Sequence, residues 1–108
     1  MPMDSIETGY EKKYEAIIKS KVLELFRDTE AIIFLFGSRA KGDYKKGSDY
    51  DIGFESIDYD SFRRLKMQFD DFWEESIVPH KVDLVYFDHA ESGFREIAKR
   101  DIVIWKTD

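Results

Sequence analysis

The sequence predicts an α/β (α+β) fold, a small mixed β-sheet flanked by helices. Three observations carry this expectation. Apolar residues recur at helical spacing in two long segments, a continuous apolar run and a strictly alternating one stand between those segments, and further short apolar runs follow towards the end of the chain. With 108 residues there is material for one hydrophobic core and not two, so residues 1–108 are expected to form a single domain.

Tyr10, Tyr14, Ile17, Ile18, Leu25 and Phe26 keep helical spacing, and Thr8 with Glu11 three residues on forms a capping-box signal, so the first helix is expected from Gly9 to Arg27. Ala31 to Phe36 is too short for a typical helix and rich in isoleucine and phenylalanine. It reads as a strand buried on both faces, ending at Gly37. Ser38 can open a short helical turn there, and turn-forming residues run from Gly42 to Ser48. Tyr50, Ile52 and Phe54 alternate with Asp49, Asp51 and Gly53, which predicts a strand with one apolar and one acidic face. Phe62, Leu65, Phe69, Phe72 and Trp73 return to helical spacing, from an N-cap at Asp58 or Asp60 to a stop before Pro79. Lys81 to Phe87 reads as a third strand with Asp83 inside it. Ala90 to Arg100 reads as a shorter helix weakened by Gly93, and Ile102 to Trp105 as a last edge strand.

Composition narrows the function. The 17 basic and 23 acidic side chains give a formal net charge of -6, which opposes non-specific binding to a polyanion, so a long nucleic acid is not the expected substrate. No apolar run reaches the ~20 residues of a membrane span, and Met1 to Gly9 lacks the pattern of a signal peptide, so a cytoplasmic protein without membrane partners is expected. The absence of cysteine excludes disulfides, thiolate metal sites and cysteine nucleophiles.

The chemistry concentrates in Phe36-Gly37-Ser38-Arg39-Ala40-Lys41-Gly42 and Ser48-Asp49-Tyr50-Asp51-Ile52-Gly53. Glycine at the end of a buried strand permits a tight turn and close backbone approach, and backbone N–H groups beside the Ser38 hydroxyl form a seat for phosphate oxygens. Arg39, Lys41, Lys45 and Lys46 gather positive charge here, in an otherwise acidic chain. The stretch is not a Walker A loop, because Asp43 stands where that motif needs lysine, and no GxGxxG signature is present. Asp49 and Asp51, two apart on a strand, project from one face with Cα atoms about 6.6 Å apart. Two carboxylates held that close repel each other, and magnesium relieves the repulsion while offering positions to phosphate oxygens. Gly53, next on that face, is expected to leave room for a ligand. Asp83 lies within an apolar strand, where an unpaired buried charge would be costly. If that strand neighbours the one carrying Asp49 and Asp51, the three acids can hold two metal ions about 3.5 to 4 Å apart, and Asp83 can accept the proton of an attacking hydroxyl.

Blander roles stand beside these. A glycine-serine turn is often only a turn, and Asp83 can pair with Lys81 or Arg100 instead of a cation. His80 and His89 lack the spacing of a metal pair and are assigned no role. Tyr44 can stack on a nucleobase or simply pack, and Phe72, Trp73 and Trp105 are aromatic enough for some to cover an interface.

The glycine-serine segment, the Asp49-Tyr50-Asp51 pair and a later strand aspartate together resemble the DNA polymerase beta-type nucleotidyltransferase superfamily, specifically its minimal nucleotidyltransferase branch. Lys41 stands where arginine is frequent and Tyr50 where an aliphatic is frequent, and the likeness spans the chain from first helix to last strand. The resemblance implies a polymerase beta-like palm fold, nucleotide binding by Gly37, Ser38, Arg39 and Lys41, and catalysis with metal binding by Asp49, Asp51 and Asp83. It also implies ATP as substrate with Mg2+, two ions being expected. Members of the branch are commonly antitoxins paired with a small helical HEPN toxin, and some transfer AMP to a tyrosine of that toxin. A hetero-oligomer with a HEPN-type toxin is therefore expected, also because few residues remain for an acceptor-binding domain. Two rivals are a small-molecule nucleotidyltransferase subunit of the aminoglycoside type and a non-catalytic antitoxin that acts by covering its partner.

Overall fold

The computed structural model describes residues 2–42, 49–76 and 81–107, with side chains described from residue 12 onward. In chain order the elements are α1 (Pro2–Leu25), β1 (Ile32–Phe36), α2 (Ser38–Lys41), β2 (Tyr50–Glu55), α3 (Tyr59–Glu74), β3 (Val82–Tyr86), α4 (Ser92–Ala98) and β4 (Val103–Thr107). The strands form one mixed sheet in the order β3-β2-β1-β4, in which β2 and β3 run parallel and the other neighbours antiparallel. The parallel pair follows from the connection between them: α3 carries the chain back across the sheet, as a parallel neighbour requires.

Alternation of side chains along each strand sorts the core into two layers. Ile33 and Leu35 of β1, Tyr50, Ile52 and Phe54 of β2, Leu84 of β3 and Trp105 of β4 face α1 and α3, which bury Ile18, Val22, Phe26, Phe62 and Phe69 against them. The rings of Phe26 and Phe54 lie 4.6 Å apart at the centre of this layer. Phe34 and Phe36 point the other way, into a smaller cluster with Phe87 that Ala98 and Ile102 help to cover. β1 is thus buried on both faces, as its unbroken apolar run predicts.

Several boundaries differ from the sequence expectation. α1 begins at Pro2, so Thr8 and Glu11 fall inside the helix and do not mark its start; proline suits a first helical position, and one internal glycine costs only about 1 kcal/mol. α1 ends at Leu25 and not Arg27, where the Thr29 hydroxyl donates to the Phe26 carbonyl at 2.8 Å and turns the chain towards β1. α3 is capped by Asp58, whose carboxylate accepts the Ser61 N–H at 2.9 Å. α4 keeps Gly93 but is shortened to Ser92–Ala98, and β4 runs on to Thr107. Trp105 is 8% exposed and belongs to the core, so it does not supply an interface. Tyr44, Lys45, Lys46 and Ser48 of the turn, and His80 with Pro79, lie outside the described residues.

Candidate active site

β1 delivers the chain to Gly37 at the end of the sheet, and the pairing of Phe36 with Asp51 places that glycine against the start of β2. Gly37 has φ 75° and ψ -159°, a conformation that side chains exclude. Space excludes them too, since a Cβ there would stand 2.5 Å from the Oδ2 of Asp51 and 3.4 Å from its Cγ. The backbone therefore approaches the carboxylate as closely as only glycine allows.

Beyond Gly37 the chain closes the single turn of α2. The N–H groups of Ala40 and Lys41 donate to the Gly37 carbonyl at 3.1 and 3.2 Å, and Gly42, with φ 84°, closes the turn by donating to the Ser38 carbonyl at 3.0 Å. These internal bonds begin at Ala40, so Ser38 stands at the open start of the turn, half-buried. Lys41 is exposed. Arg39 is not: it is 6% exposed, with its guanidinium carbon 4.2 Å from the centre of the Tyr50 ring.

β2 and β3 bring the acids together. Asp51 and Asp83 are partners in the parallel register, on the sheet face that also carries Gly37. Asp51 is half-buried, while Asp49 and Asp83 are exposed. Burial pushes the Asp51 carboxyl above its ordinary value, the neighbouring Asp83 and then Asp49 push it further the same way, and Lys81 opposes them. The three carboxylates are thus close enough to feel one another. Among the described residues no three acids or imidazoles already form a metal-binding group, so any cation held here would take much of its coordination from a substrate or from water.

Two expectations change. Asp83 is not sunk in the core; β3 is the outer strand of the sheet and leaves it exposed, so the argument from the cost of burial does not apply. Among the described residues it forms no ion pair with Lys81 or Arg100. Gly53 does not leave room for a ligand, because a Cβ there would run into the rings of Phe34 and Phe87; its space is taken by the smaller aromatic cluster. The reasoning from sequence also missed Lys81 as the cation acting on Asp51. Its place two residues before Asp83 was the available sign, since positions two apart share a strand face. A cavity of about 540 Å³ beside Ser56, Asp58 and Arg64 lies at the opposite end of β2 from the acids.

A mixed sheet whose first strand ends in a glycine-serine turn, set against acids on β2 and on its parallel neighbour β3, is the architecture of a nucleotidyl-transferring domain. The chain belongs to the nucleotidyltransferase domain family, whose model matches residues 15–105. It is similar to the Haemophilus influenzae protein named Probable protein adenylyltransferase MntA, at 36% identity over 92 residues, spanning 82% of this chain and 75% of that one. In fold it resembles a toxin-antitoxin crystal structure with AMP-PNP, with a TM-score of 0.59 at 22% identity over 83% of this chain and 73% of the other. It also resembles the complex of tri-AMPylated Shewanella oneidensis HEPN toxin with its antitoxin, with a TM-score of 0.56 at 19% identity over 85% and 71% of the two chains. A protein of Sulfolobus solfataricus described as a nucleotidyltransferase matches with a TM-score of 0.56 at 22% identity, over 91% of this chain and 84% of its own. No helix among the described residues is long and apolar enough to cross a membrane.

Proposed function

We propose that this chain transfers AMP from magnesium-ATP to a hydroxyl, in the leading reading a tyrosine hydroxyl, of a HEPN-type helical toxin, and acts as its antitoxin. The observation that carries the proposal is the close approach of Gly37 to Asp51, with Asp83 paired beside it. The family membership supports the chemistry. The adenylyltransferase relative and the fold likeness to antitoxins bound to HEPN toxins support the acceptor.

In this reading Ser38, with its N–H and hydroxyl at the start of α2, receives the phosphate oxygens, and the exposed Lys41 adds a screened positive charge nearby. The donor chemistry of Asp49, Asp51 and Asp83 suits a hard divalent cation, and such a cation would offset both the burial that chiefly raises the Asp51 carboxyl and the repulsion from Asp83 and Asp49 that adds to it. Bound magnesium would neutralise charge on the phosphates and favour attack at phosphorus. In the same reading Asp83, exposed at the sheet edge, takes the proton as the acceptor oxygen bonds to the α-phosphorus. The bond from that phosphorus to the bridging oxygen then breaks, and pyrophosphate leaves.

The test is incubation of the purified pair with labelled ATP and magnesium. Label on the toxin, lost with Asp49→Asn combined with Asp51→Asn, is the expected result. No label on the partner refutes the protein-modifying reading, and neutralisation by an unlabelling double variant that still binds would assign occlusion instead. Magnesium-ATP at about 100 times its Kd should also stabilise the wild-type fold by about 2.7 kcal/mol, a shift the double variant should lose.

A further inference from the structure

The proposed reaction needs the Gly37-Ser38 turn to stay fixed relative to Asp51, and one contact is built to do that. Arg39 is buried and lies against the face of Tyr50, which is itself fully buried, stands between Asp49 and Asp51 on β2, and donates its N–H to the Lys81 carbonyl at 2.9 Å. A guanidinium over an aromatic face is held most strongly where water is excluded. The chain crosses the end of the sheet at this point. Gly37 meets Asp51 on the acid-bearing face, whereas Tyr50 and Ala40 belong to the layer under α1 and α3.

We propose that Arg39 is a positioning residue that acts through the Tyr50 ring to clamp α2 onto β2, and not a ligand of the nucleotide. The clamp grips from the face opposite the acids, so the strand that carries Asp49 and Asp51 is the strand that fixes the turn facing them. To reach a phosphate, Arg39 would have to leave the Tyr50 ring and its burial. The inference rests on the nucleotidyl-transfer reading for its consequence in catalysis, but its structural half stands without it.

The experiment compares Arg39→Met, Arg39→Lys, Tyr50→Leu, Tyr50→Phe and the Met/Leu double variant by two measurements. The first is hydrogen exchange of the Ala40, Lys41 and Gly42 amides, which close α2; the second is kcat and KM for ATP. Arg39→Met and Tyr50→Leu should each speed exchange at those amides by roughly tenfold and lower kcat to a similar extent, because both remove the same desolvated cation–ring contact. The double variant should be no worse than either single one, Tyr50→Phe, which keeps the ring, should stay near wild type, and Arg39→Lys, which keeps the charge but not the planar stacking group, should fall between wild type and Arg39→Met. Losses that multiply in the double variant overturn the proposal, as does a raised KM with unchanged kcat in Arg39→Met. Unchanged amide exchange in Arg39→Met, or a Tyr50→Phe loss equal to that of Tyr50→Leu, overturns it too. If Tyr50→Leu does not fold, Arg39→Met, Arg39→Lys and Tyr50→Phe still decide. Exchange needs no nucleotide, so a wild-type protein that transfers nothing would refute the function while the clamp is judged on exchange alone.

Discussion

Replacing Gly37 with alanine tests the geometry of the site at its tightest point. Two costs arise. The backbone at φ 75° and ψ -159° lies in a region essentially confined to glycine, and holding another residue there costs about 1–3 kcal/mol. The new methyl would also stand 2.5 Å from the Asp51 Oδ2, well inside contact distance, so either the carboxylate or the turn must move. If that displacement costs about as much as modest overpacking, ~1 kcal/mol, the total is roughly 2–4 kcal/mol. At about 4 °C per kcal/mol for a domain of this size, the melting temperature should fall by roughly 8–16 °C. Thermal unfolding followed by circular dichroism measures it, and a second background separates the two costs. With Asp51→Ala the obstructing carboxylate is gone, so Gly37→Ala should then cost only the backbone part. A fall of less than about 2 °C in the wild-type background, or an equal fall in both backgrounds, would refute the close approach of turn and acid.

Other outcomes follow from the same structure. Asp51 titrates above its ordinary value, so its contribution to stability is fully present below the unfolded-state pKa and is lost as pH rises through the raised one; Asp51→Asn should therefore melt higher than wild type at neutral pH, with the difference shrinking on acidification, as a pH series of melting curves will show. Asp58 behaves oppositely. Its carboxylate, held below the ordinary range chiefly by the Ser61 backbone N–H, stabilises the fold above the unfolded pKa and ceases to as pH falls through the lowered one, so Asp58→Ala should melt lower than wild type at neutral pH and match it in acid. Gly53→Ala should lower stability by about 1–3 kcal/mol in urea titration, because the rings of Phe34 and Phe87 occupy the space its methyl would need.

The parts of this fold legible in the sequence are those where one local rule acts alone. The apolar run of β1 and the alternation of Tyr50, Ile52 and Phe54 follow from spacing and appear at their expected places, and the cap of α3 falls on Asp58, one of the two candidates the sequence offers. α1 starts ahead of the Thr8 and Glu11 pair because a capping-box pattern also fits inside a helix. What could not be read is what depends on strand order. That β3 is an edge makes Asp83 exposed, and that Phe34 and Phe87 converge under β2 fills the space at Gly53; both are facts about neighbours brought in from elsewhere in the chain. The buried setting of Arg39 was hidden for the same reason, since a residue after a glycine-serine turn carries no local sign of which face its side chain will take.

The parallel pairing of β2 with β3 has a consequence for how the protein comes into being. Gly37, Asp49 and Asp51 are gathered by strands that follow one another closely, but Asp83 arrives only after the chain has traversed α3 and docked it on the sheet. Contacts so far apart along the polypeptide form late, because the entropy of closing the intervening loop must be overcome first. A nascent or heat-damaged molecule can therefore hold the turn and two acids while lacking the third, so in the proposed reaction competence would wait on completed folding and on Phe62 and Phe69, which seat α3 on the sheet.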